Sequence, residues 1–289
     1  MLTLNCKGRL LTLDQPVVMG IINTTPDSFY AGSRHTALEE IVQTAGRMLE
    51  AGATILDLGG QSTRPGSEQI GAHAEMDRVI PAIEAVYKAF PKAILSVDTY
   101  HAAVAKAAVA AGASIVNDIS GGNADPDMLL TVGTLRVPYV CMHMQGNPET
   151  MQDNPQYGNV VTDVLDFFIQ QVARCRQAGI KDVIIDPGFG FGKTITHNFQ
   201  LLKGLRAFEL LRCPVLVGLS RKSTIYKTLG ITAAEALNGT TVLNTIGLMH
   251  GAHILRVHDV REAAEAVRLY SAMQQAEKNP PANSEGTSI

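Results

Sequence analysis

Residues 93–121, AILSVDTYHAAVAKAAVAAGASIVNDISG, decide the fold. An apolar, β-branched run closes on Asp98, an amphipathic stretch follows as far as Gly112, and a second apolar run closes on Asn117 and Asp118. Short runs that are apolar almost throughout suit parallel strands buried on both faces. Outward from this unit, the pattern repeats at VVMGIIN (17–23), TILDLGG (54–60), VPYVCMHMQ (137–145), DVIIDPGFG (182–190), PVLVGLSRK (214–222) and AHILRVHDV (252–260). Between them, TALEEIVQTAGRMLEAGA, MDRVIPAIEAVYKAF, VTDVLDFFIQQVARCRQAG and VREAAEAVRLYSAMQQAEK space apolar residues three and four apart, and Gly52, Gly112 and Gly179 supply helix stops. Eight strands alternating with helices predict an α/β fold of the closed (β/α)8 TIM-barrel kind. One domain is expected over 1–277 with a short N-terminal extension, and KNPPANSEGTSI (278–289) reads as a frayed, disordered tail.

Composition narrows the class. With 289 residues, 46% hydrophobic and 18% charged, the chain can bury a large core, which excludes disordered and collagen-like classes. The 24 Lys and Arg against 27 Asp and Glu leave a charge of −3 with no block of like sign, so no nucleic-acid face is expected. No apolar stretch reaches the roughly 18–20 residues of a membrane span. Asp14 and Gln15 interrupt what a secretory core would continue, so a cytoplasmic protein is expected. Cys6, Cys141, Cys175 and Cys213 lie too far apart to suggest a disulfide framework or a zinc site, and read as reduced, mostly buried thiols.

In such a barrel the chemistry sits at the strand C-termini. There the sequence places Asn23, Asp57, Asp98, Asn117 with Asp118, His143, Asp186, Lys222, and Arg256 with His258. Capping of the next helix accounts for any one of these, Asp118 or His143 for example, but not readily for all eight ends. Asp57, Asp98, Asn117 and Asp186 form an acceptor-rich group suited to a flat heterocycle bearing N–H donors. Asn23, Arg64, Lys222, Arg256 and His258 are donors or cations suited to phosphate oxygens. The alternative for the set is a network of buried ion pairs. The run DPGFGFGKT (186–194) fits neither nucleotide-binding glycine pattern and reads as a strand-to-helix loop whose glycines let backbone approach a flat ligand. Strand one lacks the His-x-His pair of metal-hydrolase barrels, and His143 and His258 are isolated, so no transition-metal centre is expected. NTTPDSFYAGS (23–33) and GGQSTRPGS (59–67) have the composition of mobile lids over the mouth, or of ordinary turns.

Taken together, MGIINTTPDSF, GATILDLGGQSTRPG, SVDTY, IVNDISG, CMHMQGNPETMQ, DPGFGFGKT, GLSRKS and RVHDV resemble the dihydropteroate synthases of the pterin-binding enzyme family, from strand one to strand eight. The resemblance implies condensation of 6-hydroxymethyl-7,8-dihydropterin diphosphate with p-aminobenzoate to dihydropteroate and pyrophosphate, a folate-synthesis step that sulfonamides block. It implies pterin contacts at Asp57, Asp98, Asn117, Met142, Asp186 and Lys222. A pyrophosphate site is implied at Asn23, Arg64, Arg256 and His258, with Asn23 a ligand of Mg2+. The p-aminobenzoate pocket falls on Phe29, Thr63, Arg64, Pro65, Lys222 and Ser223, and Asp27 orders the lid. The catalytic group would be Asp98, Lys222, Arg256 and His258, in a homodimer whose partners are small-molecule substrates only. Gln61 stands where the family commonly has Glu, and TTPDSFYAGS replaces the commoner VTPDSFSDGG. Because a neutral arylamine is a weak nucleophile, a dissociative, SN1-like departure of pyrophosphate is expected. A methylfolate-dependent methyltransferase needs no SRK and RVH anion cluster, and a silent pterin-binding paralogue would be expected to have lost Asn23, Lys222 or Arg256; these are the two alternatives.

Overall fold

A computed structural model describes residues 2–24, 34–61, 69–146, 151 and 154–278. The expected strands all form: β3 (Val17–Asn23), β4 (Ile55–Gly59), β5 (Ile94–Asp98), β6 (Ile115–Asp118), β7 (Tyr139–Met142), β8 (Val183–Asp186), β9 (Leu216–Val217) and β10 (Ile254–Val257). They pair in parallel in the order β8-β7-β6-β5-β4-β3-β10-β9, and a parallel bridge from Ile185 to Val215 closes the ring. Helices α1 (Arg34–Glu50), α2 (Ala72–Ala89), α3 (Ala102–Ala111), α4 (Met128–Leu135), α5 (Val160–Gln177) and α6 (Ile195–Lys203) follow β3 to β8 in turn. A 3₁₀ segment, Leu205–Leu211, follows α6. Helices α7 (Ser223–Leu229) and α8 (Leu237–Met249) both lie between β9 and β10, and α9 (Val260–Lys278) ends the described chain. Of the predicted tail only Lys278 is described, as the last residue of α9.

Side chains of a strand alternate between its two faces, and that alternation sorts the interior. Val18, Leu56, Leu58, Leu95, Val97, Val116, Cys141, Ile185, Val217, Leu255 and Val257 join the core that packs the barrel against its helices. Met19, Ile55, Ile115, Val140, Ile184, Leu216 and Ile254 form a separate cluster inside the barrel. Two residues further along the same inward face come Ile21, Asp57, Asn117, Met142, Asp186, Gly218 and Arg256. One step toward the C-terminal mouth therefore turns an apolar layer into a mostly polar one.

The N-terminal extension is an antiparallel hairpin, β1 (Thr3–Cys6) and β2 (Arg9–Thr12), whose local sequence carries no clear strand signal. Its turn, Lys7–Gly8, has positive φ at both residues, 56° and 88°, as a tight two-residue hairpin requires. Leu4, Cys6 and Leu13 pack on the inner apolar layer and stopper the end of the barrel remote from the mouth. Among the helix stops, Gly112 takes φ 131°, and a Cβ there would lie 2.6 Å from the Tyr87 ring, so conformation and space both demand glycine. All four cysteines are free and buried.

The stopper gives a paired prediction. Leu4 is 1% exposed and Leu10, on the same hairpin, 69% exposed. In urea unfolding, Leu4→Ala should destabilise by about 2–5 kcal/mol, whereas Leu10→Ala should stay within ~0.5 kcal/mol of the parent chain.

Candidate active site

The polar inward layer converges at the mouth. Asp57, wholly buried on β4, accepts from Arg256 Nε of β10 at 2.7 Å and from Asn117 Nδ2 of β6 at 3.0 Å, both on Oδ2. Arg256 Nη2 donates to Asp98 Oδ2 of β5 at 2.6 Å. Asp57 Oδ1 and Asp98 Oδ1 are buried and have no hydrogen-bond partner among the described residues. The acceptor group and the cation group expected from the sequence are thus not segregated: Arg256 crosses into the acceptors, and part of the set is an ion-pair network after all.

Electrostatics follows from burial. Desolvation pushes the Asp98 carboxyl up to about 7, with Arg256 pulling it down and Asp57, Asp118 and Asp186 pushing it further up. Burial also raises Asp186, against the opposing pull of Lys222, the Gly188 N–H, Arg256 and Lys193. For Arg256, burial works toward loss of the proton, but the carboxylates of Asp57 and Asp98 outweigh it and hold the guanidinium above its usual range. Lys222 is drawn down to about 8, again chiefly by burial. Such shifts are frequent at functional sites, because binding polar ligands requires polar groups where water is scarce.

Walls complete the pocket. Tyr100, Ile119 and Met142 form a small apolar cluster at the mouth, with Met144 and Phe191 packed against it. Lys222 Nζ sits 4.5 Å above the Phe191 ring and donates to the Phe189 carbonyl. Asp186 Oδ1 accepts from the Gly188 N–H at 2.8 Å, fixing the carboxylate at the root of the glycine-rich loop. Ser223 opens α7 next to Lys222. Asn23 is exposed at the end of β3, and His258, half-buried past β10, donates its backbone N–H to Ser220 Oγ at 3.2 Å.

The described residues Asn23, Asp57, Asp98, Asn117, Met142, Asp186, Lys222, Ser223, Arg256 and His258 all lie on strands β3 to β10 or on the segments directly after them. Asp27, Phe29, Thr63, Arg64 and Pro65 lie outside the described residues, as do most of both expected lids. Two strand-end residues point elsewhere. Asp118 is satisfied by Ser120 N and Oγ, Gly122 N and Tyr139 Oη, all at 2.7–2.8 Å, so it shapes the loop after β6. His143 contacts Lys193. Gln61, the departure from the family pattern, is 7% exposed and donates through Nε2 to Tyr100 Oη at 2.7 Å. The sequence reading missed Tyr100, Ile119, Phe191 and Lys193; only Lys193, a charge inside a glycine-rich run, carried a signal.

The glycines of 186–194 also answer to something other than a ligand. A Cβ on Gly188 would lie 1.9 Å from the His143 carbonyl oxygen, and one on Gly192 would lie 2.5 Å from that of Gln145. They let the loop press on the backbone that leaves β7.

Comparison with known proteins bears on this arrangement. The family described as pterin binding enzyme matches residues 19–258. The chain is 45% identical over 275 residues to a dihydropteroate synthase of Escherichia coli (strain K12), spanning 94% of this chain and 97% of that one. A Yersinia pestis dihydropteroate synthase solved with a sulfonamide drug superposes with a TM-score of 0.89 at 42% identity, covering 95% of this chain and all of that one. A Xanthomonas albilineans dihydropteroate synthase in complex with 7,8-dihydropteroate gives 0.83 at 40% identity, over 94% and 99%. A barrel whose mouth joins buried acceptors to Arg256 and Lys222, matched over nearly its whole length by these proteins, belongs to the pterin-binding enzyme family and, within it, to the dihydropteroate synthases.

Proposed function

We propose that the chain condenses 6-hydroxymethyl-7,8-dihydropterin diphosphate with p-aminobenzoate, giving 7,8-dihydropteroate and pyrophosphate. The observation that carries this is the mouth itself. Buried oxygens of Asp57 and Asp98 without partners among the described residues, together with Asn117 and Asp186, lie at the mouth that also carries the apolar cluster of Met142, Ile119 and Phe191. Acceptors beside apolar walls suit a flat ring with N–H donors at its edge. Within this reading Asp57, Asn117, Met142, Asp186 and Lys222 bind the pterin. Arg256 and His258 face the diphosphate with Asn23 and Arg64. Phe29, Thr63, Arg64, Pro65, Lys222 and Ser223 form the p-aminobenzoate pocket, which a sulfonamide would enter in its place, and Asp27 orders the lid.

Bond breaking is the difficulty, because the arylamine is a weak nucleophile. Departure of pyrophosphate ahead of attack places positive charge on the pterin methylene, and the Asp98 carboxylate stabilises it as it develops. Asp98 is buried, and its Oδ2 is fixed by Arg256, so it needs little reorganisation to do so. The amide oxygen of Asn23, exposed at the mouth, fits a Mg2+ arriving with the diphosphate, since Mg2+ commonly takes one or two protein oxygens and completes its shell from phosphate and water. When bound, the ion would neutralise leaving-group charge. Because Arg256 also holds Asp57 and Asp98, it serves the pterin side as well as the anion side.

We further propose a homodimer in the cytoplasm. Leu210, Leu229, Val242, Met249, Leu269 and Met273 are exposed on the 3₁₀ segment and on α7, α8 and α9, consecutive outer elements of one side of the barrel. Four free thiols agree with a reducing compartment, and no helix among the described residues is long and apolar enough to cross a membrane.

Pyrophosphate release should require both substrates and Mg2+. Release by neither substrate combination, with the pterin still bound, would favour a silent paralogue or a methyltransferase. Asp98→Asn should lower kcat by about 10²–10³-fold, far more than it weakens pterin binding; a loss confined to binding would remove Asp98 from the chemistry. Since burial raises the Asp98 carboxyl to about 7, the working anion is present above that pH and is lost as pH falls through it. Turnover of the parent chain should therefore rise through about pH 7, and the Asp98→Asn chain should lack that limb. Light scattering in solution should return twice the chain mass of 30.9 kDa.

A further inference from the structure

Lys193 and His143 have no part in the scheme above, yet they lie beneath the glycine-rich loop that follows Asp186. Both are buried, 3% and 7% exposed. Lys193 Nζ lies 2.9 Å from His143 Nδ1, 3.0 Å from the Gly188 carbonyl oxygen and 3.1 Å from that of Phe191, with the His143 carbonyl oxygen at 3.4 Å. An ammonium group has three protons to donate, and its three nearest neighbours can all accept. Burial and the neighbouring Lys193 charge push His143 down to about 3, so its ring is neutral and retains a lone pair for the bond.

The loop so gripped is the one that builds the pocket. It starts at Asp186, whose carboxylate is bonded to the Gly188 N–H, and carries Phe189 and Phe191, which receive Lys222 on a carbonyl and on a ring face. The Gly192 carbonyl accepts from Tyr157 Oη at 2.8 Å, and the Gly190 N–H donates to Asn198 Oδ1 at 2.8 Å, so the outer side of the loop is fastened to α6 and to the segment before α5. On its inner side Lys193 fastens the loop to the end of β7, beside the backbone bond from the His143 N–H to the Asp186 carbonyl.

We propose that Lys193, held by His143, is a positioning residue for the pterin subsite: its buried ammonium fixes the curve of the glycine-rich loop and with it the places of Asp186, Phe191 and Lys222. The inference rests on the pterin reading of that subsite. The charged groups acting on Lys193 are Asp186, which favours its proton, and Lys222, which opposes it; burial dominates and brings it to about 7. The clamp is accordingly strongest on the acidic side of neutrality.

The test is calorimetric binding of 6-hydroxymethylpterin, which carries no diphosphate, alongside the KM of p-aminobenzoate and the melting temperature. Lys193→Met should weaken the pterin about tenfold or more, because the carbonyls it leaves are buried, while the KM of p-aminobenzoate, which shares only Lys222 with the displaced groups, changes severalfold less and the protein still melts cooperatively. Lys193→Gln, which keeps two donors without the charge, should fall between the two. His143→Leu should weaken the pterin, and His143→Asn, which restores an acceptor near Nδ1, should recover most of the loss. Unchanged pterin binding in Lys193→Met, or equal losses for both substrates together with a falling melting temperature, would overturn the proposal. Should Lys193→Met not fold, equal affinities of His143→Leu and His143→Asn would overturn it. Failure of the parent chain to bind the pterin would instead remove the functional reading, and this inference with it.

Discussion

The half-buried guanidinium of Arg256, shared between Asp57 and Asp98, is the interaction on which the mouth of the barrel depends. Carboxylates on neighbouring strands repel one another in a poorly solvated interior, and each is costly to keep charged there. Arg256 offsets this for two of them with a single side chain that cannot lose its proton. It leaves one oxygen of each carboxylate without a partner among the described residues. The same contact therefore makes the buried charges tolerable and leaves acceptors for a ligand, which a fully satisfied network would not do.

Charge at the mouth is layered rather than mixed at random. Inward positions on the strands change from apolar to polar within one strand repeat, with Ile55 below Asp57, Ile115 below Asn117, Ile184 below Asp186 and Ile254 below Arg256. The lower layer, sealed by the β1–β2 hairpin, carries the packing that stabilises the barrel. The upper layer is then free to hold groups that oppose folding, as polar sites commonly do at a cost in stability. Lys193 and Lys222 extend this beyond the strands, since they place a buried and a half-buried cation on the loop that follows Asp186.

Much of this was legible from residues alone. Strand and helix order follows from local pattern: AILSVDTY, a helical stretch and SIVNDISG can hardly form anything but strand, helix and parallel strand. The polar strand ends followed too, because in a parallel barrel the residues closing each apolar run share one end. The resemblance to a known family then supplied roles that spacing could not. Less was legible where a segment looked featureless: TLNCKGRLLT reads only as a short N-terminal extension, and contact with the inner layer shows it to be a stopper.

What the sequence determined by itself is the order of the elements and which residues stand at the mouth, since both depend on the period of a strand and the direction of a βα unit. What only the tertiary structure decided is which of those residues touch. Arg256 lies 199 positions from Asp57 and 158 from Asp98, and Lys193 lies 50 from His143. A long cationic side chain at a strand end can reach toward solvent, a phosphate or a carboxylate across the barrel. The choice is fixed by closure of the ring and by the burial that follows, which no local stretch of chain contains.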